Sequence, residues 1–165
     1  MPGIISTMRG LRDGVRNAGI PVIYVQSVRT LREPEFTVFG HDPVLEIGTW
    51  AVEIVDELKP RQKETIVQKF SHDPFYKTEL DQVLNNLVHD PIGHYAVVAG
   101  GAVNICLYHA VMGFHLRHYK TGVPVDSVYS IDDAGEQRAF EQFSEPAYPN
   151  VILSRSDLIK ILTKD

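Results

Sequence analysis

The stretch Tyr-Ala-Val-Val-Ala-Gly-Gly-Ala-Val-Asn-Ile-Cys, residues 95–106, contains the pattern that decides the fold. Residues 95–99 are a short, continuously apolar run of the kind that parallel sheets bury on both faces. The glycine pair at 100–101 predicts a sharp turn, and apolar residues over 107–114 then recur at helical spacing. A buried strand that turns into a helix is the repeating unit of α/β proteins, in which ligands gather at the carboxyl ends of the strands.

The same alternation of strand and helix extends over the rest of the chain. Strands are predicted at 22–25, 65–69, 95–99, 119–125 and 151–153, and helices at 4–18, 78–88, 107–114, 132–143 and 156–162. Thr49 is expected to cap a further short helix that buries Trp50, and Gly122 with Pro124 indicates an edge or distorted strand. We therefore predict one domain over residues 1–165, a three-layer α/β/α Rossmann-like fold with a mostly parallel sheet.

Composition excludes several classes of protein. The 165 residues are 44% hydrophobic and carry 16 basic against 21 acidic side chains, a net charge of −5 that argues against nucleic-acid binding. The single cysteine cannot form an internal disulfide, and the first 20 residues lack the apolar core of a signal peptide. The apolar runs are also too short for a membrane span. These features predict a cytoplasmic protein that does not bind membranes.

Two side chains at the predicted sheet edge could carry chemistry. Lys69 closes the second strand, and Cys106 lies in the first turn of the helix that follows the third. A helix N-terminus and a neighbouring ammonium both favour thiolate, and nearby backbone N–H groups could form an oxyanion hole. Alternatively, Cys106 is a small buried hydrophobe and Lys69 a solvated strand end.

Residues 97–107 resemble the nucleophile turn of the isochorismatase-like cysteine hydrolases, a family that includes nicotinamidases and other amidohydrolases. Further similarities follow in the same order along nearly the whole chain. They are Glu46-Ile47-Gly48-Thr49-Trp50, Lys69-Phe70-Ser71 with Phe75, Thr78 and Leu80, and Tyr119 with Asp126. Val103 and His118 depart from the family pattern, which affects the expected substrate contacts rather than the fold.

The resemblance implies a catalytic triad of Asp, Lys and Cys, of which Lys69 and Cys106 match two members. It also implies an oxyanion site formed by the backbone N–H groups of Ala102 and Cys106, with a cis peptide bond between Gly101 and Ala102. In the family the Asp ends a first, central strand that precedes the helix with which this chain opens. Asp13 and Asp126 are not natural substitutes for it.

Three explanations for the absent strand remain open: a sequence shortened at its N-terminus, a rearranged or swapped segment, or a homologue without the activity. Removal of a central strand leaves two neighbours with unpaired backbone edges. We therefore expect another segment or another subunit to fill this gap, whereas a sheet complete within one chain would contradict the hypothesis. A homo-oligomer is the expected assembly.

Neither a metal nor another cofactor is predicted, because no Asp-x-His pattern of the nicotinamidase type is present. His115 and His118 suit a solvated helix face, and His109, one turn after Cys106, is assigned to core packing although a Cys/His pair is conceivable. Four aromatic residues are candidates for a small apolar substrate pocket, with core packing as the alternative role. They are Phe70, Phe75, Phe39 and Tyr108.

The resemblance and the placement of Cys106 together predict hydrolysis of a small amide or related carbonyl compound through a thioester. A vinyl ether hydrolase of the isochorismate type is less favoured, because that chemistry does not require the cysteine. The alternative from a different class is an inactive isochorismatase-like domain that acts in binding or oligomer assembly.

Overall fold

The computed structural model describes residues 2–147 and 151–163, and it contains alternating helices and strands. The helices are α1 (Pro2–Asn17), α2 (Pro34–Thr37), α3 (Leu80–Leu87), α4 (Cys106–Leu116), α5 (Asp133–Phe143) and α6 (Arg155–Leu162). The strands are β1 (Ile23–Ser27), β2 (Thr65–Lys69), β3 (Tyr95–Val97), β4 (Gly100–Gly101), β5 (Lys120–Pro124), β6 (Val128–Tyr129) and β7 (Val151–Leu153). Within these ranges no helix has the length and apolar character needed to cross a membrane.

The paired strands are parallel, as the alternating pattern predicts, but they form separate sheets. Strand β5 lies between β3 and β7, β1 pairs with β2, and the short β4 pairs with β6. In the part of the chain that the structure describes, β1 and β3 each have a strand partner on one side only. One-sided pairing of β1 and β3 is what a sheet with an empty central position would show. The structure therefore does not contradict the expected gap at the position of the family's first strand.

Helix α1 contacts both parts of the sheet and holds them together. On one side, Arg16 Nε donates a hydrogen bond to Glu64 Oε1 at 2.7 Å, directly before β2. On the other side, a Cβ added at Gly14 would lie 2.5 Å from Ile159 Cδ1, so α6 packs against the backbone of α1. Gly19, with φ +72°, follows the helix in the left-handed conformation that glycine adopts without strain.

Apolar burial is divided between two clusters that match the two main sheets. The larger cluster joins α4, β5 and α5 through Val103, Leu107, Val111, Val123, Val128, Ala139 and Phe143. The smaller lies beneath β2 and α3 and consists of Val67, Phe75, Leu80 and Leu84. Each cluster supports one of the strand ends from which the candidate site is built.

The prediction that the third strand is buried on both faces is wrong in part, and the first strand is also incompletely buried. Val25 in β1 is 41% exposed and Tyr95 in β3 is 38% exposed. A strand with one partner leaves its side chains without neighbours on the open side. Strands β1 and β3 are therefore incompletely covered.

Two further predictions need correction. Thr49 does not cap a helix: its hydroxyl donates to Glu46 O, short 3-10 turns follow, and Trp50 is 84% exposed. Strand β5 is central rather than an edge, because Gly122 leaves room for its neighbours. A Cβ at Gly122 would lie 2.9 Å from Leu158 Cδ2, and Pro124 stands at the end of the strand.

Candidate functional site

Lys69 is the buried cation of the site. It is the last residue of β2 and only 3% exposed, which excludes the solvated strand end as its role. Its ammonium donates to the carbonyl oxygens of Ser71 at 2.7 Å and His72 at 3.2 Å, so it shapes the loop that follows β2. Burial lowers the pKa of Lys69, and the charges of Cys106 and Asp73 oppose that effect.

Cys106 is the first residue of α4 and is partly exposed, so it is not a small hydrophobe enclosed by the core. The turn before it is held by a hydrogen bond from Val103 N to Tyr129 O at 2.7 Å. Gly101 is required there, because an added Cβ would lie 2.6 Å from Tyr129 O. The thiol is therefore presented at the end of a tightly packed turn.

The peptide bond between Gly101 and Ala102 is cis, at the position expected from the resemblance. The carbonyl of Ala102 accepts hydrogen bonds from Ile105 N and Leu107 N, both at 3.1 Å. Among the described residues, the backbone N–H groups of Ala102 and Cys106 have no acceptor. Both N–H groups are thus free to bind an oxyanion.

His72 brings a third titratable side chain to the sulfur. Its Nδ1 lies 3.5 Å from Cys106 Sγ, and its ring stacks on His109 with centroids 6.1 Å apart. Although the residue as a whole is exposed, desolvation of the ring lowers the pKa of His72, and the cations of Arg29 and Lys69 lower it further. The imidazole is consequently neutral near pH 7, when it can accept a proton.

Arg29 is a second buried cation near Lys69. It is 3% exposed, and its Nε donates to Glu35 Oε1 at 2.6 Å. Its Nη1 donates to Val28 O at 2.9 Å and reaches Lys69 O at 3.4 Å. Arg29 thereby ties the long loop that contains α2 to the carboxyl ends of β1 and β2.

The four predicted pocket aromatics occupy different environments. Phe75 is 7% exposed and packs edge-on against Phe114, and Tyr108 stacks on the buried Phe143 with centroids 5.6 Å apart. The rings of Phe75 and Tyr108 therefore pack against other core side chains. Phe70 is 38% exposed directly after Lys69, and Phe39 is 69% exposed on the long loop, so a substrate contact remains a prediction for both.

The carboxylates considered from the sequence are engaged elsewhere. Asp13 pairs with Arg12 and Arg16, and Asp126 Oδ1 accepts the backbone N–H of Arg155 at 2.8 Å. Across residues 2–147 and 151–163, no group of three or more His, Cys, Asp or Glu side chains is arranged to hold a metal ion. The carboxylates whose charges act on the site are Asp73, near Lys69, and Glu35, near His72.

Sequence reasoning missed His72 and Arg29. The signal for His72 was its position three residues after Lys69, in the loop at the same edge of the sheet as Cys106. The core role assigned to His109 is wrong, because its side chain is exposed and its Nδ1 is 2.8 Å from Ile105 O. Arg29 gave no comparable signal, since a buried arginine in a loop cannot be distinguished from a solvated one by sequence alone.

Comparison with solved structures identifies the fold. A cysteine hydrolase from Pseudomonas syringae pv. phaseolicola aligns with a TM-score of 0.85 over 98% of this chain and 80% of its own, at 20% identity. N-carbamoylsarcosine amidase from Thermoplasma acidophilum aligns with a TM-score of 0.77 over 93% and 83%, at 23% identity. The predicted α/β Rossmann-like, isochorismatase-like fold is confirmed.

Sequence comparison agrees with this assignment. The ureidoacrylate amidohydrolase RutB of Rhizobium rhizogenes is 28% identical over 146 residues, which cover 71% of this chain and 54% of that protein. The chain thus spans about half the length of the curated relatives it matches. The Isochorismatase domain model matches residues 1–156. The chain therefore belongs to the isochorismatase family.

Proposed function

We propose that this protein hydrolyses a small amide, with Cys106 as the nucleophile. The observation that carries the proposal is the position of the Cys106 thiol, which is partly exposed at a helix N-terminus beside His72. The turn that leads to it contains the backbone N–H groups of Ala102 and Cys106, which have no acceptor among the described residues. Attack of the sulfur on the carbonyl carbon would place the developing oxyanion on the N–H groups of Ala102 and Cys106. Collapse of this intermediate expels the amine and leaves a thioester, which water then hydrolyses.

Lys69 would stabilise the charge on sulfur during this reaction. Its ammonium is buried and interacts electrostatically with Cys106, and an ammonium near a thiol favours the thiolate. Low solvent exposure strengthens such an interaction. Phe70 and Phe39 are the exposed aromatic side chains proposed to contact the substrate.

The names of the relatives support an amide substrate with a terminal carbamoyl group. They include ureidoacrylate amidohydrolases and an N-carbamoylsarcosine amidase, and a nicotinamidase from Bacillus subtilis shares the fold. All three names denote cleavage of a carbon–nitrogen bond at a carbonyl. They favour the catalytic function over the alternative of an inactive binding domain.

Ammonia release from ureidoacrylate, N-carbamoylsarcosine and nicotinamide tests the proposal. Turnover of at least one compound is expected, with loss of activity in Cys106→Ala and after pretreatment with iodoacetamide. His89→Gln, at an exposed residue after α3, is the matched control for handling and folding. Full activity in Cys106→Ala, or inactivity of the folded wild-type protein on all three compounds, would overturn the proposal in this form.

A further inference from the structure

The geometry points to Asn104 as a positioning residue that sets the turn carrying the Cys106 thiol. This inference rests on the proposed function and deepens it. Asn104 lies two residues before Cys106, and its side chain reaches the segment that follows β6. Its Nδ2 donates to Asp132 Oδ2 at 3.3 Å, and its Oδ1 accepts the hydroxyl of Ser130 at 3.1 Å. These two contacts join the turn before α4 to the start of α5.

The partners of Asn104 are themselves held in place. Asp132 is the N-cap of α5, and its Oδ1 accepts the backbone N–H of Gly135 at 2.6 Å, which leaves Oδ2 for Asn104. The hydroxyl of Ser130 also lies 2.9 Å from Asp132 O. Gly135 is buried, and an added Cβ there would collide with Asn104 Nδ2 and lie 2.8 Å from Asp132 Oδ2. A glycine in the first turn of α5 therefore makes room for the Asn104 amide.

A second contact holds the same turn to the same neighbouring segment. Val103 N donates to Tyr129 O at 2.7 Å, one residue before the Asn104 and Ser130 pair in both segments. The backbone bond fixes the position of the turn, and the side chain of the next residue restrains its rotation about that bond. A displaced turn would carry the sulfur away from the Lys69 ammonium, with which Cys106 forms a hydrogen bond. Asn104 thereby acts on the reaction through Cys106.

The local sequence alone would favour a different role for Asn104. Asparagine is a preferred N-cap residue, because its side chain accepts a hydrogen bond from the first turn of a helix. Here Ile105 occupies the N-cap position of α4 and supplies no side-chain cap. Asn104 Oδ1 is bonded to Ser130 instead, and the Cys106 N–H has no acceptor among the described residues. The contact with Ser130 therefore leaves open an N–H group that the proposed reaction needs for the oxyanion.

Alkylation of Cys106 by iodoacetamide, followed by intact mass, tests this role without a substrate. Asn104→Ala removes both side-chain contacts, and Gly135→Ala displaces the Asn104 amide while it raises helix propensity in α5. We expect each variant to be alkylated at least about fivefold more slowly than the wild type at pH 7, because a thiolate that loses its ammonium partner is disfavoured. Gln137→Ala, on the exposed face of α5, is the matched control and should keep the wild-type rate.

Two variants at Asp132 separate position from charge. Asp132→Ser and Asp132→Asn both remove the carboxylate, and both leave a preferred N-cap residue. The asparagine amide can still pair with the Asn104 amide, whereas the serine hydroxyl is too short to reach it. We expect the serine variant to be alkylated at least about threefold more slowly than the wild type, and the asparagine variant to stay within about twofold of it. Equal rates in the two variants would overturn the inference, because their charges are the same.

Phe140→Ala is the control for lost stability, since its ring packs within α5 against Phe143, with centroids 6.1 Å apart. It should lower Tm and keep the wild-type alkylation rate. A rate as slow as that of Asn104→Ala would show that stability alone governs the thiol. Where an amide is turned over, Asn104→Ala should lower kcat and leave KM within about twofold of the wild-type value. If alkylation depends on Asn104 while no amide is hydrolysed, the proposed function fails and the positioning role stands.

Discussion

Substitution of Gly101 by alanine should damage the turn that presents the thiol. The added Cβ would lie 2.6 Å from Tyr129 O and 2.8 Å from the Tyr129 ring. An ordinary contact begins at 3.4 Å, so the backbone of β4 or β6 must move by about 0.8 Å, the difference between these distances. The nearest atom is a backbone oxygen, which cannot rotate away as a flexible side chain can.

Overpacking of this kind costs about 1–3 kcal/mol of unfolding free energy. For a domain of this size, each kcal/mol lowers Tm by about 2–4 °C. Because Val103 N donates to the same Tyr129 oxygen, the movement also displaces the turn that leads to Cys106. We therefore expect slower alkylation of the thiol together with a lower Tm.

Thermal unfolding by circular dichroism and iodoacetamide alkylation would measure the two effects. Gly113→Ala is the control for lost stability alone, since its Cβ would meet Phe75 Cδ2 at 2.5 Å, two turns along α4 from the sulfur. Gly3→Ala is the control for the substitution itself, because nothing lies within 4 Å of its added Cβ. A Gly101→Ala protein with wild-type Tm and wild-type thiol reactivity would refute the reasoning.

Three other properties can be predicted from the structure. Replacement of Lys69 by methionine should lower the initial rate of amide hydrolysis about 100-fold. In the wild-type protein the rate should also fall at high pH, because burial lowers the pKa of Lys69 and its ammonium then loses its proton. The hydrogen bond from Arg16 lowers the pKa of Glu64. This ion pair therefore stabilises the fold at pH values above the ordinary carboxyl pKa, and the stabilisation is lost as the pH falls through the lowered pKa of Glu64. Urea unfolding at pH 7 and pH 3 should therefore show a smaller loss of stability in Glu64→Gln than in the wild type, and equal losses would contradict this account. Because β1 and β3 are each paired on one side only, we expect the protein to associate as its concentration rises, as measured by sedimentation velocity. A monomer at every concentration, with the backbone amides of both strands protected from hydrogen exchange, would contradict this prediction.

Much of the architecture is readable in local patterns. The predicted strand at 65–69 is β2, the alternation of elements gives parallel pairing, and Asp132 caps α5 through the backbone N–H of Gly135 at 2.6 Å. Such features depend on residues near one another in the chain, so periodicity and capping chemistry record them. The prediction for the segment around Trp50 is wrong for the converse reason: Trp50 is 84% exposed, so its burial does not stabilise a helix there.

Some residues of the candidate site could likewise be predicted from the sequence, and others could not. Placement of Lys69 and Cys106 at strand and helix ends follows from sequence alone, because parallel strands bring their carboxyl ends to one edge. Contact between His72 and the sulfur, and burial of Arg29 beneath the long loop, depend on residues 34 and more positions apart in the chain. Local propensity determined which segments are helix and strand and where Cys106 lies along the chain. Only tertiary packing decided which groups surround it and which strand edges stay open, because those outcomes depend on contacts between distant segments.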